Sequence, residues 1–173
     1  LFAAYQQKAV RTAALITGDV SLAEDITQEA FVICLLRMNC LREPERFQSW
    51  FFRILTRCAW KAMEKRARHS MGWGEEMEVL IPPVFDCYPS EKKAEYEKLY
   101  LALEGLGKKQ RTTVILYYFN DLSIKEIAHI TASLETTVKT RLFAAKKRLR
   151  QALQEPENAG VKKGELFYEK GKF

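Results

Sequence analysis

The sequence predicts an all-α protein built from two small helical domains. Apolar residues recur at helical spacing through most of the chain, and no alternating strand pattern survives beside them. A stretch rich in proline, glycine and acidic residues, 69–92, interrupts this periodicity. We therefore predict a first domain at residues 1–70, a flexible acidic linker at 71–94, a second domain at 95–155 and a loosely ordered tail at 156–173.

The first domain is predicted to contain three helices. Residues 1–17 form the first, and Gly18-Asp19 ends it. Ser21 and Glu24 have capping-box spacing, so we expect the second helix to open there and to continue to about Arg37. Its buried side is expected to carry Leu22, Ile26, Ala30, Ile33 and Leu36 or Arg37. After a loop at 38–46, a long amphipathic helix has the apolar stripe Phe47, Trp50, Phe51, Ile54, Leu55, Cys58 and Ala62.

A second face of this long helix combines aromatic and basic residues. Phe52, Thr56 and Trp60 lie away from the apolar stripe, beside Arg53 and Arg57. Such a face suits the stacking of unpaired bases over a cationic surface. A neighbouring helix that covers Phe52 and Trp60 would explain the same pattern, and the sequence leaves both interpretations open.

The second domain is predicted to end in a helix-turn-helix motif. Helices at 90–104 and 108–119 lead to residues 122–153, where Ser123 and Glu126 form a capping box. A break at 131–133 follows, and then a helix with the inward stripe Val138, Leu142, Ala145, Leu149 and Leu153. Its opposite face presents Thr136, Lys139, Thr140, Phe143 and Lys147. A capped helix, a tight turn and a basic second helix indicate binding in a DNA major groove.

The charge distribution points to a polyanionic partner. The chain has a net charge of +6, and residues 53–68 and 135–153 each carry six basic residues and one acidic residue. Residues 71–98, by contrast, carry seven acidic residues and three lysines. The protein thus has two basic patches separated by an acidic segment.

Several function classes find no support in the sequence. There is no nucleophile–base pairing and no phosphate loop, so we expect neither an enzyme nor a cofactor. The four cysteines lack C-x-x-C spacing and the two histidines are isolated, so no metal site is expected. The longest apolar run, 30–36, is far shorter than the ~20 residues that a membrane span needs. We expect a cytoplasmic protein that does not insert into membranes.

Two sets of motifs resemble bacterial RNA polymerase sigma factors of the extracytoplasmic-function type. Residues 18–31, GDVSLAEDITQEAF, and 47–54, FQSWFFRI, resemble that family's second conserved region. Leu106, Gln110-Arg111, the segment LSIKEIA at 122–128 and TVKTRL at 137–142 resemble its fourth region. The resemblance covers about residues 1–68 and 95–153.

The resemblance implies a sigma factor that binds core RNA polymerase, recognises the −35 and −10 promoter elements and helps to open the DNA. It also implies an anti-sigma factor as a further partner. Asp25, Gln28 and Glu29, which on charge alone are simply an acidic first helical turn, would contact the polymerase clamp. The −10 single strand would be bound by Arg53, Thr56, Arg57, Trp60 and Lys61. The −35 element would be bound by Thr136, Thr137, Lys139, Thr140, Arg141, Phe143, Lys147 and Arg148.

The chain departs from the family pattern at several positions. Arg57 and Lys61 stand where Asn and Asp are common, which makes this face unusually basic. Gly107 replaces a proline, and Ala144 replaces an arginine that often follows the aromatic residue. Ala132 replaces the glycine of the helix-turn-helix turn, so we expect that turn to be more helical.

The sequence also fits a second function. A stand-alone helix-turn-helix regulator would use its N-terminal half for dimerisation or ligand binding and would need no polymerase. The resemblance to sigma factors also implies a role for the acidic linker. It would pass through the polymerase cleft, with Glu75, Glu76, Glu78 and Asp86 imitating nucleic acid.

Overall fold

The computed structural model describes residues 2–41, 43–70 and 90–154, with side chains described for 5–41, 43–68 and 94–153. Every regular element in these residues is helical, as predicted. Residues 71–89, which make up most of the predicted acidic linker, and residues 155–173, which include the predicted tail, lie outside the described residues, as do the predictions made for them. The next described helix begins at Ser90, which confirms the helix predicted at 90–104 and places its start inside the range predicted as linker.

Seven α-helices make up the described fold. They are α1 (Phe2–Thr17), α2 (Val20–Leu36), α3 (Phe47–Ser70), α4 (Ser90–Glu104), α5 (Lys108–Val114), α6 (Ile124–Ile130) and α7 (Glu135–Gln154). Two short 3₁₀ turns, Met38–Cys40 and Pro44–Arg46, occupy the predicted loop between α2 and α3. A π-helical turn, Ile115–Phe119, continues α5.

The N-terminal half packs α1, α2 and α3 against one another. The predicted stripe of α3 is the centre of this packing, because Phe51 and Leu55 are fully buried. Phe51 also lies near Tyr5 of α1 and Phe31 of α2, with ring centroids 5.8 and 5.1 Å away. The aromatic rings therefore bring the three helices together.

Two details of α2 differ from the prediction. Its N-cap is Asp19, whose carboxylate accepts a hydrogen bond from the Leu22 amide at 3.0 Å, so the expected Ser21 cap is wrong. Aspartate is a strong N-cap residue, and the glycine before it already stops α1. Leu36 is 79% exposed and Arg37 is exposed as well, so neither is buried as predicted, and Cys34 takes the inward position near the end of the helix.

The C-terminal half forms a helix-turn-helix supported by α4 and α5. α7 contacts α4, α5 and α6, and Val138, Ala145 and Leu149 of its predicted stripe are almost completely buried. Leu153, the last residue predicted for the stripe, is 39% exposed. The inward stripe of α7 thus ends one turn earlier than expected.

The two halves pack directly on each other. α3 contacts α6, α1 contacts the π-helical turn and α5, and the buried apolar residues of both halves form one continuous core. The sequence predicted two domains but not this contact between them. Within the described ranges, no helix combines the length and apolar character that crossing a membrane requires.

Candidate nucleic-acid and protein interfaces

The outer face of α7 is open to solvent. Lys139, Thr140, Lys147 and Arg148 are exposed, and Phe143 is 75% exposed although it is a large aromatic residue. Of the other predicted DNA contacts, Thr136 is exposed, and Thr137 and Arg141 are half-buried. All eight residues therefore lie outside the buried stripe, in the arrangement that a recognition helix needs.

Local contacts fix the start of the helix-turn-helix. Ser123 and Glu126 form the predicted capping box: the Ser123 amide donates to Glu126 Oε2 at 2.8 Å, and the Glu126 amide donates to Ser123 Oγ at 3.3 Å. In the turn, Ser133 Oγ accepts a hydrogen bond from Arg141 at 2.9 Å. This contact holds Arg141 at the side of α7, so the turn and the recognition helix are linked directly.

The turn itself corrects an expectation. Ala132 has a φ of 48°, which is the left-handed conformation that glycine usually provides. We expected that the turn would be more helical because it lacks glycine, and this expectation is wrong. Instead the alanine accepts a conformation that costs about 1 kcal/mol for a residue with a Cβ atom.

The second face of α3 is covered by the C-terminal half. Phe52 and Thr56 are fully buried, and Trp60 is half-buried, with its indole Nε1–H donating to Thr112 Oγ1 of α5 at 3.1 Å. Arg53 is half-buried and reaches His129 Nε2 of α6 at 2.8 Å. The sequence left two interpretations open, and this arrangement agrees with the second, in which a neighbouring helix covers this face of α3.

Two of the five residues predicted for the −10 strand remain accessible. Arg57 and Lys61 are exposed on α3, and Lys61 Nζ lies 3.6 Å from Glu29 Oε1 of α2. The predicted strand-binding set is thus divided: its basic edge is open, and Arg53, Thr56 and Trp60 lie beneath the C-terminal half.

An exposed strip follows one face of α2. Asp25, Gln28 and Glu29 are exposed, and the same face continues through three exposed apolar residues. These are Val32, Leu35 and Leu36, which are 54%, 59% and 79% exposed. Sequence reasoning missed this extension because Leu36 fitted the inward stripe, although the i, i+3, i+4, i+7, i+10 and i+11 spacing from Asp25 places all six residues on one face. We call these six residues the α2 strip.

A buried arginine connects the two halves near the end of α1. Arg111 of α5 is 5% exposed; its Nε donates to the Leu15 carbonyl at 2.8 Å, and its guanidinium pairs with Glu104. Burial lowers the pKa of Arg111, and Glu104 opposes this effect. Gly18, at a φ of 77°, faces the pair, and a Cβ atom there would overlap Glu104. A side chain at position 18 would therefore displace the Glu104 carboxylate and would be strained by the positive φ.

Each half of the chain matches a known protein family. Residues 1–69 match the family described as Sigma-70 region 2, and residues 96–149 match Sigma-70, region 4. The chain is 36% identical over 128 residues to the RNA polymerase sigma factor SigV of Bacillus subtilis, which covers 74% of each protein. It is 26% identical over 160 residues to the ECF RNA polymerase sigma factor SigW of the same organism, covering 87% of this chain and 86% of SigW.

A solved structure supports the fold. The sigma factor RpoE of Bartonella quintana, crystallised with the anti-sigma factor NepR, superposes with a TM-score of 0.77. The match covers 89% of this chain and 94% of that chain at 20% identity, so it shows the fold alone.

Fold and sites define a helical DNA-binding protein with a helix-turn-helix in its second half. The chain belongs to the RNA polymerase sigma factors of the sigma-70 family, of the ECF type. Its function is accordingly promoter recognition in transcription initiation, and the alternative of a stand-alone regulator is not favoured.

Proposed function

We propose that this sigma factor has three binding surfaces, each for a different partner. The α2 strip binds core RNA polymerase, the outer face of α7 reads the −35 element, and the second face of α3 captures a single strand of the −10 element. The strongest support for this proposal is the α2 strip. A factor that depends on polymerase needs such a surface, whereas a stand-alone regulator does not.

The chemistry of the α2 strip suits a protein partner. Three large apolar side chains lie exposed beside Asp25 and Glu29. Exposed apolar residues that cluster next to polar ones are typical of interaction surfaces. A partner that buries Leu36 gains apolar contact, while the carboxylates of Asp25 and Glu29 select a basic surface.

The outer face of α7 suits duplex recognition. Lys139 and Thr140 can reach base edges, because both are exposed at the N-terminal end of a helix held by the capped α6. Arg148 lies further along α7, where its guanidinium is 3.4 Å from Gln110 of α5. We assign Arg148 to phosphate contact, which positions the helix and carries no sequence information.

The second face of α3 suits an unpaired strand only after the halves separate. Elements centred about 25 base pairs apart lie about 85 Å apart along B-DNA. A compact chain of this length has a radius of gyration of only about 16 Å. One molecule therefore contacts both elements only in an open form, and that form exposes Arg53, Thr56 and Trp60 to the strand.

Membership of the family suggests one further partner and two general properties. We propose that an anti-sigma factor restrains this chain, that the chain acts in the bacterial cytoplasm without membrane insertion, and that it catalyses no reaction of its own. Support comes from its similarity to the RpoE chain that was crystallised with the anti-sigma factor NepR.

Capture by core polymerase tests the assignment of the α2 strip. Leu36→Ser and the double variant Asp25→Lys/Glu29→Lys should each weaken capture, Leu36→Ser by on the order of 2 kcal/mol. Leu134→Ser is the matched control, because Leu134 is exposed to a similar extent, 74% against 79%, but lies in the helix-turn-helix. Helix content should stay unchanged, since exposed substitutions alter stability by only about 0.5 kcal/mol. Equal capture by all variants would disprove the assignment, and promoter-specific transcription by the purified chain with core polymerase tests the function as a whole.

A further inference from the structure

An open groove lies between the end of α4 and the last two turns of α7. Its volume is about 390 Å³, which is within the range of ligand sites. Most of its lining is apolar or small, and the full set is Leu101, Ala102, Gly105, Leu106, Arg148, Gln151 and Ala152. The groove shares only Arg148 with the three surfaces assigned above. It therefore offers an apolar lining and one positive charge to a further binding partner.

The chain contains a segment whose chemistry matches this groove. Residues 155–173 follow directly after α7, which itself forms one wall of the groove. The longest apolar run in this segment is LFY at 166–168, and the run is flanked by Glu165 and Glu169. An apolar run between two carboxylates is complementary to an apolar lining beside Arg148.

We propose that the groove between α4 and α7 is the docking site of the chain's own segment 165–169. The apolar side chains of the segment lie against the lining, and a carboxylate, of Glu165 or Glu169, pairs with Arg148. The docking itself requires neither polymerase nor DNA. It goes beyond the proposed function, which gives the groove no role.

The connection between α7 and the apolar run has a suitable length and composition. Eleven residues, 155–165, join them, and fully extended they would span about 36–40 Å. Arg148 lies only about 9 Å before the end of α7, at 1.5 Å per helical residue. The chain must therefore reverse its direction. Pro156, Asn158 and Gly160 are of the types that end helices and form turns.

A short connection favours the chain's own segment over that of a second copy. Two groups joined by a short flexible connection have an effective concentration in the millimolar range. A weak contact with a dissociation constant of about 1 mM is then about half occupied within one chain. In a solution of about 1 µM protein, a second copy would occupy only about 0.1% of the grooves. The proposal therefore commits to docking within one molecule.

Docking has a consequence for DNA binding, and this consequence rests on the proposed function of Arg148. Arg148 is exposed, and its Nη1 lies 3.4 Å from Gln110 Oε1, which is long for a hydrogen bond. This long contact to a neutral group leaves the guanidinium available to a carboxylate or to a phosphate. The docked segment and the −35 duplex therefore compete for Arg148.

Photo-crosslinking of the full chain without DNA tests the docking directly. p-Benzoylphenylalanine is incorporated in place of Phe167; on irradiation its ketone carbon forms a bond to a nearby carbon, and the hydrogen from that carbon converts the ketone to a hydroxyl. Peptide mass mapping of protein at about 1 µM locates the link. We expect links to peptides that contain Leu101, Ala102 or Ala152. The same probe in place of Phe173, outside the apolar run, is the matched control and should link there at least fivefold less.

A variant of the groove provides a second measurement. Leu101→Asp should lower the yield of the link from position 167 by about fivefold, because it removes an apolar contact and repels the carboxylates of the segment. Leu101 is 52% exposed, so the substitution should leave the fold intact. Leu134→Asp is the control, because Leu134 is exposed but lies outside the groove, and it should not change the yield.

Fluorescence anisotropy with a −35 duplex measures the consequence for DNA binding. Glu165→Gln/Glu169→Gln should bind the duplex about threefold more tightly than Glu155→Gln/Glu157→Gln, because only the first pair of changes frees Arg148. Both double variants remove the same charge from the same segment. In an Arg148→Ala background they should bind equally.

Three results would overturn the proposal. Absence of a link from position 167 to the groove means that the segment does not dock there. A link found in protein of dimeric mass means that a second copy is the occupant. If the link forms within monomers but the two double variants bind the duplex equally, no carboxylate of the segment pairs with Arg148. Failure of the proposed function is distinguishable, since Arg148→Ala would then leave duplex affinity unchanged while the link still forms.

Discussion

The second face of α3 and the outer face of α7 have similar chemistry but opposite availability. Both combine an aromatic side chain with basic residues. Phe143 is 75% exposed, whereas Trp60 is half-buried and its indole is hydrogen-bonded to Thr112. The difference arises from packing, since α7 buries one stripe and α3 is covered on two sides. A residue pattern that suits DNA binding therefore does not show whether the surface is open.

The largest expected effect concerns the open surface. Lys139→Ala should weaken binding of the free protein to its preferred −35 duplex by about 1–3 kcal/mol and relax the preference at one base pair. The reason is that Lys139 is exposed at the N-terminal end of the recognition helix. Fluorescence anisotropy with a set of single-base duplex variants measures both changes.

Arg148→Ala provides the contrast for Lys139. It should weaken binding to every duplex alike and reduce the salt dependence by about one counterion, because a phosphate contact carries no sequence information. If Lys139→Ala also lowers affinity equally for all sequences, Lys139 is a phosphate contact and the orientation of α7 proposed here is wrong.

The covered surface should respond differently. Arg57→Ala and Lys61→Ala should leave −35 duplex binding by the free protein unchanged, because both residues lie on α3. In the holoenzyme each should reduce capture of the melted −10 strand by about 1 kcal/mol, as expected for the loss of a single phosphate contact. Permanganate reactivity of unpaired thymines measures this opening, and an equal loss in −35 binding would contradict the division between the two surfaces.

Local sequence signals predicted the helices well because those signals are short-range. The Ser123–Glu126 capping box and the apolar stripe of α3 are present as predicted. The cap at Ser21 was wrong because Asp19, two residues earlier, satisfies the Leu22 amide first. Both residue types cap helices, and the sequence alone does not rank them at this site.

The cover over Trp60 depends on residues distant in the chain. Trp60 and Thr112 are 52 positions apart, and the acidic segment lies between them. The helical pattern of α3 showed that one more face needed a partner but could not say whether that partner was DNA or α5. The exposed end of the α2 strip was missed for a related reason, since burial of Leu36 depends on which helices pack around it.

A smaller effect concerns the turn before α7. Ala132→Gly should raise the free energy of unfolding by about 1 kcal/mol, because glycine adopts a φ of 48° without strain. Chemical denaturation measures the change, and −35 binding should stay the same because the face of α7 is untouched. A loss of stability would show that Ala132 does not adopt this conformation in solution.

The smallest effect concerns the start of α5, the segment that covers α3. Gly107 is the N-cap of α5 without a side-chain cap, and a Cβ atom there meets nothing within 4 Å. Gly107→Ser should stabilise the chain by about 0.5 kcal/mol through a new capping hydrogen bond. A thermal melt detects this shift, and Gly107→Ala, which adds a Cβ atom but no acceptor, is the control.

The distance between the two halves, before and after promoter binding, tests the central claim most directly. Cys40 is exposed, whereas burial raises the pKa of Cys34 and Cys58 to about 11, so near neutral pH a maleimide dye selects Cys40. A second dye on Arg150→Cys, in a Cys87→Ser background, reports the position of α7 by energy transfer. We predict high transfer in the free protein and low transfer in the promoter-bound holoenzyme, where the two elements lie about 85 Å apart. Low transfer in the free protein, or unchanged transfer on promoter binding, would contradict a closed sigma factor that opens to bind its promoter.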